Sequence, residues 1–260
     1  MDCDVIIFFR DKPHTTHMNL EIFKDSDQLC IGLAEWITSL IEETLHRKDQ
    51  FSLVLSGGNT PKKLHLLLAS APYKERIDWK KIHIFWGDER AVPFEDERNN
   101  ALMAFDTLLN KVDIPRDQIH IMDTSLPPEK AATVYEELLC EFFGTDILPF
   151  QTFDLVLLGM GDDGHTLSLF PGSPVIHEEK LWVTSFFLAA QDMYRITLTK
   201  NIVNRADHIV FMISGPGKAH ALREVIEGER NPDLYPSQII SPTQGELHFF
   251  TDKDAASLLK

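Results

Sequence analysis

The segment FDLVLLGMGDDGHTLSLFPG, residues 153–172, decides which kind of α/β protein this sequence encodes. Its apolar first half is typical of a buried strand. The glycines at positions 159, 161 and 164 reproduce the spacing of the dinucleotide-binding pattern G-x-G-x-x-G. Two aspartates and a histidine, however, lie among and after those glycines. The segment therefore encodes either a loop that binds a pyrophosphate or a loop that carries catalytic groups.

Two features disfavour a dinucleotide ligand. Asp162 and Asp163 would face a pyrophosphate with like charge, and Pro171 and Pro174 interrupt the long crossover helix that a dinucleotide-binding unit needs. The acidic pair at 178–179 falls near the offset of a ribose-binding acid, but spacing without the strand–loop–helix context is a weak signal. Nicotinamide binding is thus a minor interpretation.

His165 is instead the best general-base candidate among the eleven histidines. Histidine titrates near neutral pH, and a neighbouring carboxylate such as Asp163 can fix its tautomer. The alternative interpretation is structural: His165 caps the following turn, and the aspartates are solvated.

Outward from this segment, β-branched apolar runs alternate with amphipathic helical patterns along most of the chain. This alternation predicts one α/β domain over residues 1–260, with a mostly parallel sheet flanked by helices. Thr60 is predicted to be the N-cap of a helix whose first residue is Pro61. The predicted strands cover residues 5–9, 51–56, 81–86, 153–158, 181–187, 195–199, 208–214 and 247–252, and the predicted helices cover 26–48, 61–70, 99–112, 127–143 and 217–228.

The charge balance narrows the range of partners. Forty acidic and twenty-five basic side chains give a formal net charge of -15, which repels nucleic-acid phosphates and anionic membrane surfaces. We therefore expect neither a nucleic acid nor a membrane as a partner. A small anionic ligand remains compatible with this charge, because a few local cations and helix N-termini act at contact range.

The cysteines and the N-terminus bear on the compartment. Cys3, Cys30 and Cys140 are widely spaced and include no C-x-x-C pair, which favours reduced thiols over disulfides or a zinc cluster. The N-terminus is acidic where a secretory signal is basic, and no apolar run approaches about 18 residues. We expect a cytoplasmic protein that is a monomer or a weak homo-oligomer.

Ligands of open α/β sheets bind beyond the carboxyl ends of the strands, so the loops that follow strands are the places to seek a site. One such loop, SGGNTP at residues 56–61, combines two glycines with the start of a helix, where unpaired N–H groups and a positive dipole end favour an anion. It lacks the Gly-Lys-Ser/Thr ending of a nucleotide P-loop, which favours a single phosphate. The alternative is an ordinary tight turn.

Charged residues mark three further loops. Asp88, Glu89 and Arg90 end a buried-looking strand, where they are either solvated or part of a polar site, and Arg90 is suited to bind a phosphate with two hydrogen bonds. Lys218 lies in the first turn of a helix, where the dipole disfavours a cation unless an anion binds. Arg195 begins a strand and can reach the same group of loops. Surface positions are the alternative for Lys218 and Arg195.

The remaining histidines are interpreted as structural, because they stand singly on helix or strand patterns. They include His65, His83, His208 and His248. No H-E-x-x-H pair or calcium-loop pattern occurs, so neither a metal nor another cofactor is implied.

Together, the loops resemble those of the 6-phosphogluconolactonase family. The matching segments, in the family's order, are LSGGNTP, WGDERAVP with the downstream NN, GMGDDGHTLSLFPG, RITLT and SGPGKAHAL. The resemblance implies an α/β fold related to glucosamine-6-phosphate deaminase, a sugar phosphate lactone of the oxidative pentose phosphate pathway as substrate, and no cofactor. It implies that His165 activates the attacking water, with Asp163 in the same motif. The substrate-binding positions that it implies are Ser56, Gly57, Gly58, Asn59, Thr60, Asp88, Arg90, Arg195 and Lys218.

Two other functions share part of these motifs. A glucosamine-6-phosphate deaminase has the same D-G-H loop, but in the deaminases an acidic residue lies five positions after the histidine, where this sequence has Phe170. A catalytically silent sugar-phosphate sensor would keep the loop at 56–61 and Lys218 without needing His165. The retained histidine and aspartates favour an enzyme.

Overall fold

The structure is a computed structural model and describes residues 6–10 and 18–260. Cys3, and Val5 of the first predicted strand, lie outside the described residues. The strands are β1 (Ile6–Arg10), β2 (Met18–Phe23), β3 (Phe51–Leu55), β4 (Ile82–Trp86), β5 (Asp88–Arg90), β6 (Leu155–Leu158), β7 (Val183–Leu188), β8 (Met193–Leu198), β9 (His208–Ile213) and β10 (Glu246–Asp252). The α-helices are α1 (Ser26–Leu45), α2 (Asn59–Leu68), α3 (Tyr73–Arg76), α4 (Asn100–Ala104), α5 (Pro128–Phe143), α6 (Lys200–Val203) and α7 (Ala219–Ile226).

A seven-stranded sheet forms the centre of the molecule, in the order β1-β2-β10-β9-β6-β3-β4. Its strands pair in parallel except for β1, which is antiparallel to β2. Every residue of β3 and of β6 is buried, as expected when helices cover both faces of a parallel sheet, and the buried Ser52 of β3 donates its hydroxyl to Asp154. The predicted α/β class with a mostly parallel sheet is confirmed.

A second, three-stranded antiparallel sheet has the order β5-β8-β7. It joins the large sheet where β4 ends and β5 begins, with only Gly87 between them. The sequence predicts β7 and β8 but not β5, because three charged residues do not resemble a strand. The pairing of β5 with β8 brings Arg90 next to Arg195.

Helices cover the sheets and bury one continuous core. The carboxylate of Asp25 caps α1 by accepting from the backbone N–H of Asp27 and Gln28, and α1 packs on β10, β3 and α2. Helix α5 packs on β7 and β8. The core cluster includes residues of both sheets. Within the described residues, no helix is both long and apolar enough to span a membrane.

Two predicted helix boundaries are wrong. Helix α2 begins at Asn59 with Gly58 as its N-cap, rather than at Pro61 with Thr60 as its N-cap, and Gly58 adopts a positive φ of 113° that only glycine takes up readily. The helix predicted over 99–112 is α4 followed by one π-helical turn, Phe105–Leu109. The strand ends of β3, β4, β6 and β9 nevertheless bring the predicted loops to one edge of the sheet.

Candidate active site

A cleft of about 320 Å³ lies at the carboxyl edge of the large sheet. The loops after β3, β4, β6 and β9 form it, and the small sheet adds one wall. Its lining residues are Ser56, Gly57, Gly58, Asn59, Thr60, Pro61, Asp88, Arg90, Asn100, Gly159, Met160, Gly161, His165, Thr166, Leu167, Arg195, Met212, Ser214 and Lys218.

His165 and Asp163 form a hydrogen-bonded pair at this cleft. Nδ1 of His165 lies 2.6 Å from Oδ1 of Asp163, and the same oxygen accepts the backbone N–H of His165 at 3.1 Å. Burial, the largest single effect, raises the pKa of the Asp163 carboxyl, but the hydrogen bond from the His165 side chain, the charge of His165 and backbone hydrogen bonds together lower the pKa overall. A carboxylate that accepts from Nδ1–H leaves Nε2 of the imidazole as the proton acceptor.

Glycines hold this pair in a tight loop. The N–H of Gly161 donates to the carbonyl of His165 at 2.8 Å, and a Cβ at Gly161 would collide with His165 and Asp163. Gly164 has a positive φ of 78°, and its carbonyl accepts from both the backbone N–H and the hydroxyl of Ser237. These glycines therefore leave room for the histidine–aspartate pair, and the loop has no need of them to admit a pyrophosphate.

Arg195 is a buried cation with unsatisfied donors. It is 3% exposed, and its Nε and Nη1 have no hydrogen-bond partner in the part of the chain that the structure describes. Burial lowers the pKa of its guanidinium, Asp88 opposes that shift, and Arg90 adds to it. Arg90 lies directly opposite Arg195 in the β5–β8 ladder. Facing like charges are destabilising, so this wall of the cleft favours an anion between the two.

Phe170 supports both the histidine and this arginine. Its ring stacks on His165, with 4.1 Å between ring centroids and 25° between planes, and Cζ of Arg195 lies 5.5 Å from the centroid of the Phe170 ring. The phenyl ring is buried and offers no group that exchanges protons. The cleft beside His165 is thus less polar than it would be with an acidic residue at this position.

Asn100 connects the charged triplet to the glycine loop. Its Oδ1 accepts from Nη1 of Arg90 at 2.8 Å, and its Nδ2 donates to the carbonyl of Asp88 at 3.0 Å. A Cβ on Gly57 would collide with the Asn100 amide, which explains the glycine there. The predicted site does not include Asn100, although the loop after the charged triplet leads directly to this first residue of α4.

Glu89 and Asp88 are buried rather than solvated. The Glu89 carboxylate accepts the backbone N–H of Arg90, Asn100 and Ala101 at 2.8, 2.8 and 2.9 Å. Burial outweighs these bonds and raises the pKa of Glu89 to about 7. Asp88 accepts from the hydroxyl of buried Ser168 at 2.6 Å, which ties the charged triplet to the loop that carries His165.

The other two loops carry backbone donors and a lysine. Helix α2 begins at the cleft, and its N-cap Gly58 has no side chain to cap its first N–H groups, which receive no side-chain bond within the described part of the chain. Lys218 forms an ion pair of 2.5 Å with exposed Asp162, which offsets the unfavourable helix dipole expected for an unpaired lysine. The loop of Lys218 is fixed by buried Asp252, whose carboxylate accepts from the Ser214 hydroxyl at 2.5 Å and the Gly215 N–H at 3.0 Å.

The structure brings the predicted site residues together. Ser56 to Thr60, Asp88, Arg90, His165, Arg195 and Lys218 all line the cleft, and Asp163 contacts it through His165. Sequence reasoning missed Asn100, Ser214 and the packing role of Phe170. Ser214 was open to prediction as the first residue after β9, whereas the contacts of Phe170 depend on tertiary packing.

The fold and the cleft define the class of the protein: an α/β protein with a histidine–aspartate pair and facing arginines at the carboxyl edge of a parallel sheet. Residues 24–249 match the family model of glucosamine-6-phosphate isomerases/6-phosphogluconolactonase. The chain belongs to this family.

Individual relatives agree with this membership. The 6-phosphogluconolactonase of a Synechocystis strain is 41% identical over 225 residues, which are 86% of this chain and 91% of the relative. The solved 6-phosphogluconolactonase from Trypanosoma cruzi superposes with a TM-score of 0.83 at 27% identity, covering 95% of this chain and all of the other. A monomeric glucosamine-6-phosphate deaminase shares the fold, with a TM-score of 0.77 at 22% identity over 92% of this chain and 99% of the deaminase chain.

Proposed function

We propose that the protein hydrolyses 6-phosphoglucono-1,5-lactone to 6-phosphogluconate, a reaction of the oxidative pentose phosphate pathway, without a metal or an organic cofactor. The relatives named above support the substrate. The observation that carries the proposal is the His165–Asp163 pair beside Arg195, a buried cation whose guanidinium still has donors to offer an anionic substrate.

In the proposed mechanism, His165 acts as general base through Nε2. Asp163 accepts from Nδ1–H, holds the imidazole in that tautomer and stabilises the imidazolium that forms. The water loses its proton to Nε2 as its oxygen bonds to the lactone carbonyl carbon. The ring C–O bond then breaks, and the imidazolium returns the proton to the leaving ring oxygen. Water is consumed, and His165 ends neutral.

Positive charge in the cleft serves the anionic parts of the substrate. Arg90, Arg195, Lys218 and the first N–H groups of α2 are the donors available for the phosphate, the sugar hydroxyls and the developing oxyanion. We propose this set as the substrate-binding group together with Asp88, whose hydrogen bond to Ser168 keeps the histidine loop against the arginine wall.

A deaminase is the second candidate, and Phe170 disfavours it. Isomerisation and ring opening of an amino sugar need an additional acid–base group, which in the deaminases lies five residues after the histidine. Phe170 occupies that position, and its ring stacks on His165. Lactone hydrolysis needs an activated water and an oxyanion site, and a phenyl ring does not interfere with either.

The direct test uses freshly generated 6-phosphoglucono-1,5-lactone with stopped-flow detection of proton release. We expect hydrolysis above the spontaneous rate and no ammonia release from glucosamine 6-phosphate. His165→Ala should lower the rate by about 10² or more, the usual contribution of a positioned base, without changing the circular dichroism melt.

His177→Ala is the matched control, because Nε2 of His177 lies 2.8 Å from Asp233 in an exposed histidine–aspartate pair. It should hydrolyse at the wild-type rate. A folded His165→Ala protein with wild-type activity would exclude His165 as the base. Ammonia production as fast as lactone opening would assign the chain to the deaminases.

A further inference from the structure

Three potential metal ligands meet at the end of the large sheet opposite the cleft. They are His208, the first residue of β9, and Glu246 and His248, near the start of β10. Each offers one donor atom, and these atoms all lie within 4.8 Å of one another. The sequence places His208 and His248 singly on strand patterns, but the parallel pairing of β9 and β10 brings them together.

The strand register places the three side chains on one face. Glu246 is the partner of His208 across the β9–β10 ladder, and His248 lies two residues further along the same strand, so its side chain points the same way. Trp36 of α1 covers this face, with its ring centroid 4.8 Å from that of His248 and 5.7 Å from that of His208. Glu246 is exposed and leaves the cluster open to solvent.

Both histidines have a buried ring nitrogen without a hydrogen bond. Among the described residues, neither Nδ1 of His208 nor Nε2 of His248 has a hydrogen-bond partner, although Nε2 of His248 lies 3.3 Å from the Glu246 carboxylate, and His248 is only 4% exposed. The His83–His120 pair, by contrast, has its ring nitrogens satisfied by each other: Nδ1 of His83 and Nε2 of His120 are 3.0 Å apart and hydrogen-bonded. A buried polar atom without a partner lowers the stability of the fold. A metal ion that accepts the lone pairs of these two nitrogens would remove that cost.

We propose that His208, Glu246 and His248 bind a divalent transition-metal ion of the zinc class, with water in the fourth position. Two imidazoles and one carboxylate are a donor set that Zn²⁺ takes in proteins. Tetrahedral Zn²⁺ with bonds of about 2.0–2.1 Å spaces its donor atoms about 3.4 Å apart. Nε2 of His248 and Oε2 of Glu246 are already 3.3 Å apart, so only His208 has to approach.

Asn19 completes the arrangement from the adjacent strand. It is the partner of His248 across β2 and β10, and its side-chain amide lies 3.3 Å from Nδ1 of His248. The amide atom nearest that nitrogen is Nδ2, which also donates to Oε2 of Glu246 at 3.5 Å. On metal binding, rotation of the amide by 180° would bring Oδ1 to Nδ1–H and leave Nε2 as the ligand atom, as the outer partners of metal-bound histidines do. The ion then ties β9 and β10 together under α1.

This site is separate from the cleft. The residues of β9 rise by about 3.3 Å each, so roughly 20 Å of extended chain separates His208 from the cleft residue Ser214. The ion therefore stabilises the fold and does not take part in the proposed hydrolysis.

The test is calorimetric titration of chelator-treated, desalted protein with Zn²⁺, alongside thermal melts and the visible spectrum with Co²⁺. We expect one tight site, a higher melting temperature with Zn²⁺, and the absorption bands of tetrahedral Co²⁺. Glu246→Gln, at an exposed position, and His208→Gln should each weaken Zn²⁺ binding about 10-fold or more, since even an outer-shell partner contributes that much.

His120→Gln and His165→Ala are the matched controls, because they remove a histidine from the other histidine pair and from the cleft. Both should bind Zn²⁺ as the wild type does. Absence of Zn²⁺ binding by the wild-type protein would overturn the proposal. So would binding that survives unchanged in Glu246→Gln and His208→Gln, since the ion would then lie elsewhere.

Discussion

At the scale of single residues, Arg195 is the clearest sign that the cleft is built for a ligand. A buried guanidinium with unpartnered nitrogens, facing a second arginine, lowers the stability of the free protein. The same features favour binding of an anion, because the donors are already in place and already desolvated. We therefore propose that Arg195 lowers the stability of the free protein and strengthens binding of the substrate.

We therefore predict that Arg195→Met does not lower the melting temperature, while it weakens binding of 6-phosphogluconate about 10- to 100-fold. Hydrogen bonds to charged groups contribute roughly 1.5–3 kcal/mol, whereas an unpaired buried charge costs the fold free energy. Thermal melts and calorimetric titration measure the two effects.

Arg116→Met is the matched control, since Arg116 also lies over a phenyl ring, 5.0 Å from the centroid of Phe105, but outside the cleft. It should leave binding unchanged. A lower melting temperature for Arg195→Met with intact ligand binding would show that Arg195 is a structural residue.

At the scale of elements, Glu89 joins strand β5 to helix α4. Its carboxylate accepts the first two N–H groups of α4, from Asn100 and Ala101, in addition to the N–H of Arg90. These bonds hold α4 against the triplet strand and so orient the Asn100 side chain toward Arg90. This arrangement buries the Glu89 carboxyl group, and burial raises its pKa to about 7.

This raised pKa predicts a pH-dependent stability. A carboxyl whose pKa is higher in the folded state favours folding most below its unfolded pKa, near 4.5, and that contribution is lost as the pH rises toward about 7. As the pH rises between these two values, the free energy of unfolding of the wild type should fall by up to about 3 kcal/mol relative to that of Glu89→Gln, since one pKa unit corresponds to about 1.4 kcal/mol.

Urea unfolding of both proteins between about pH 5 and pH 8 tests this prediction. The glutamine amide loses one backbone hydrogen bond at every pH, so the informative quantity is the change of the difference with pH. A constant difference across the range would mean that Glu89 stays ionised.

At the scale of the whole molecule, the cleft is a local cationic region on an acidic protein. The formal charge is -15, yet Arg90, Arg195 and Lys218 line one cleft. Charges further away than about 10 Å are screened at 0.1 M salt, so the nearby cations dominate at contact. One core cluster connects the two sheets that carry these residues, which supports our proposal that residues 1–260 form a single domain.

We predict that the protein unfolds in one transition. Two variants that each retain a single buried tryptophan, Trp86 at the end of β4 or Trp182 beside β7, report on the large and the small sheet separately. Their fluorescence melts should coincide with each other and with the circular dichroism melt. Separate transitions would mean that the two sheets are independent units.

The sequence by itself determined the fold class and the loops that form the cleft. Alternating strand and helix patterns identify an α/β fold, and its geometry sends the segments after β3, β4, β6 and β9 to one edge. Glycines and charged residues in those segments then indicate where chemistry occurs. These signals are local, because backbone conformation and hydrophobic period are properties of neighbouring residues.

Tertiary structure decided what depends on pairing between distant segments. The β5–β8 register places Arg90 opposite Arg195, and α2 starts at Asn59, two residues before the predicted first residue Pro61. The fold also buries Glu89, whose carboxylate then accepts the first N–H groups of α4. The β9–β10 register likewise brings His208 to Glu246. No local pattern specifies such contacts, because a shift of one residue in strand register would point each side chain to the opposite face.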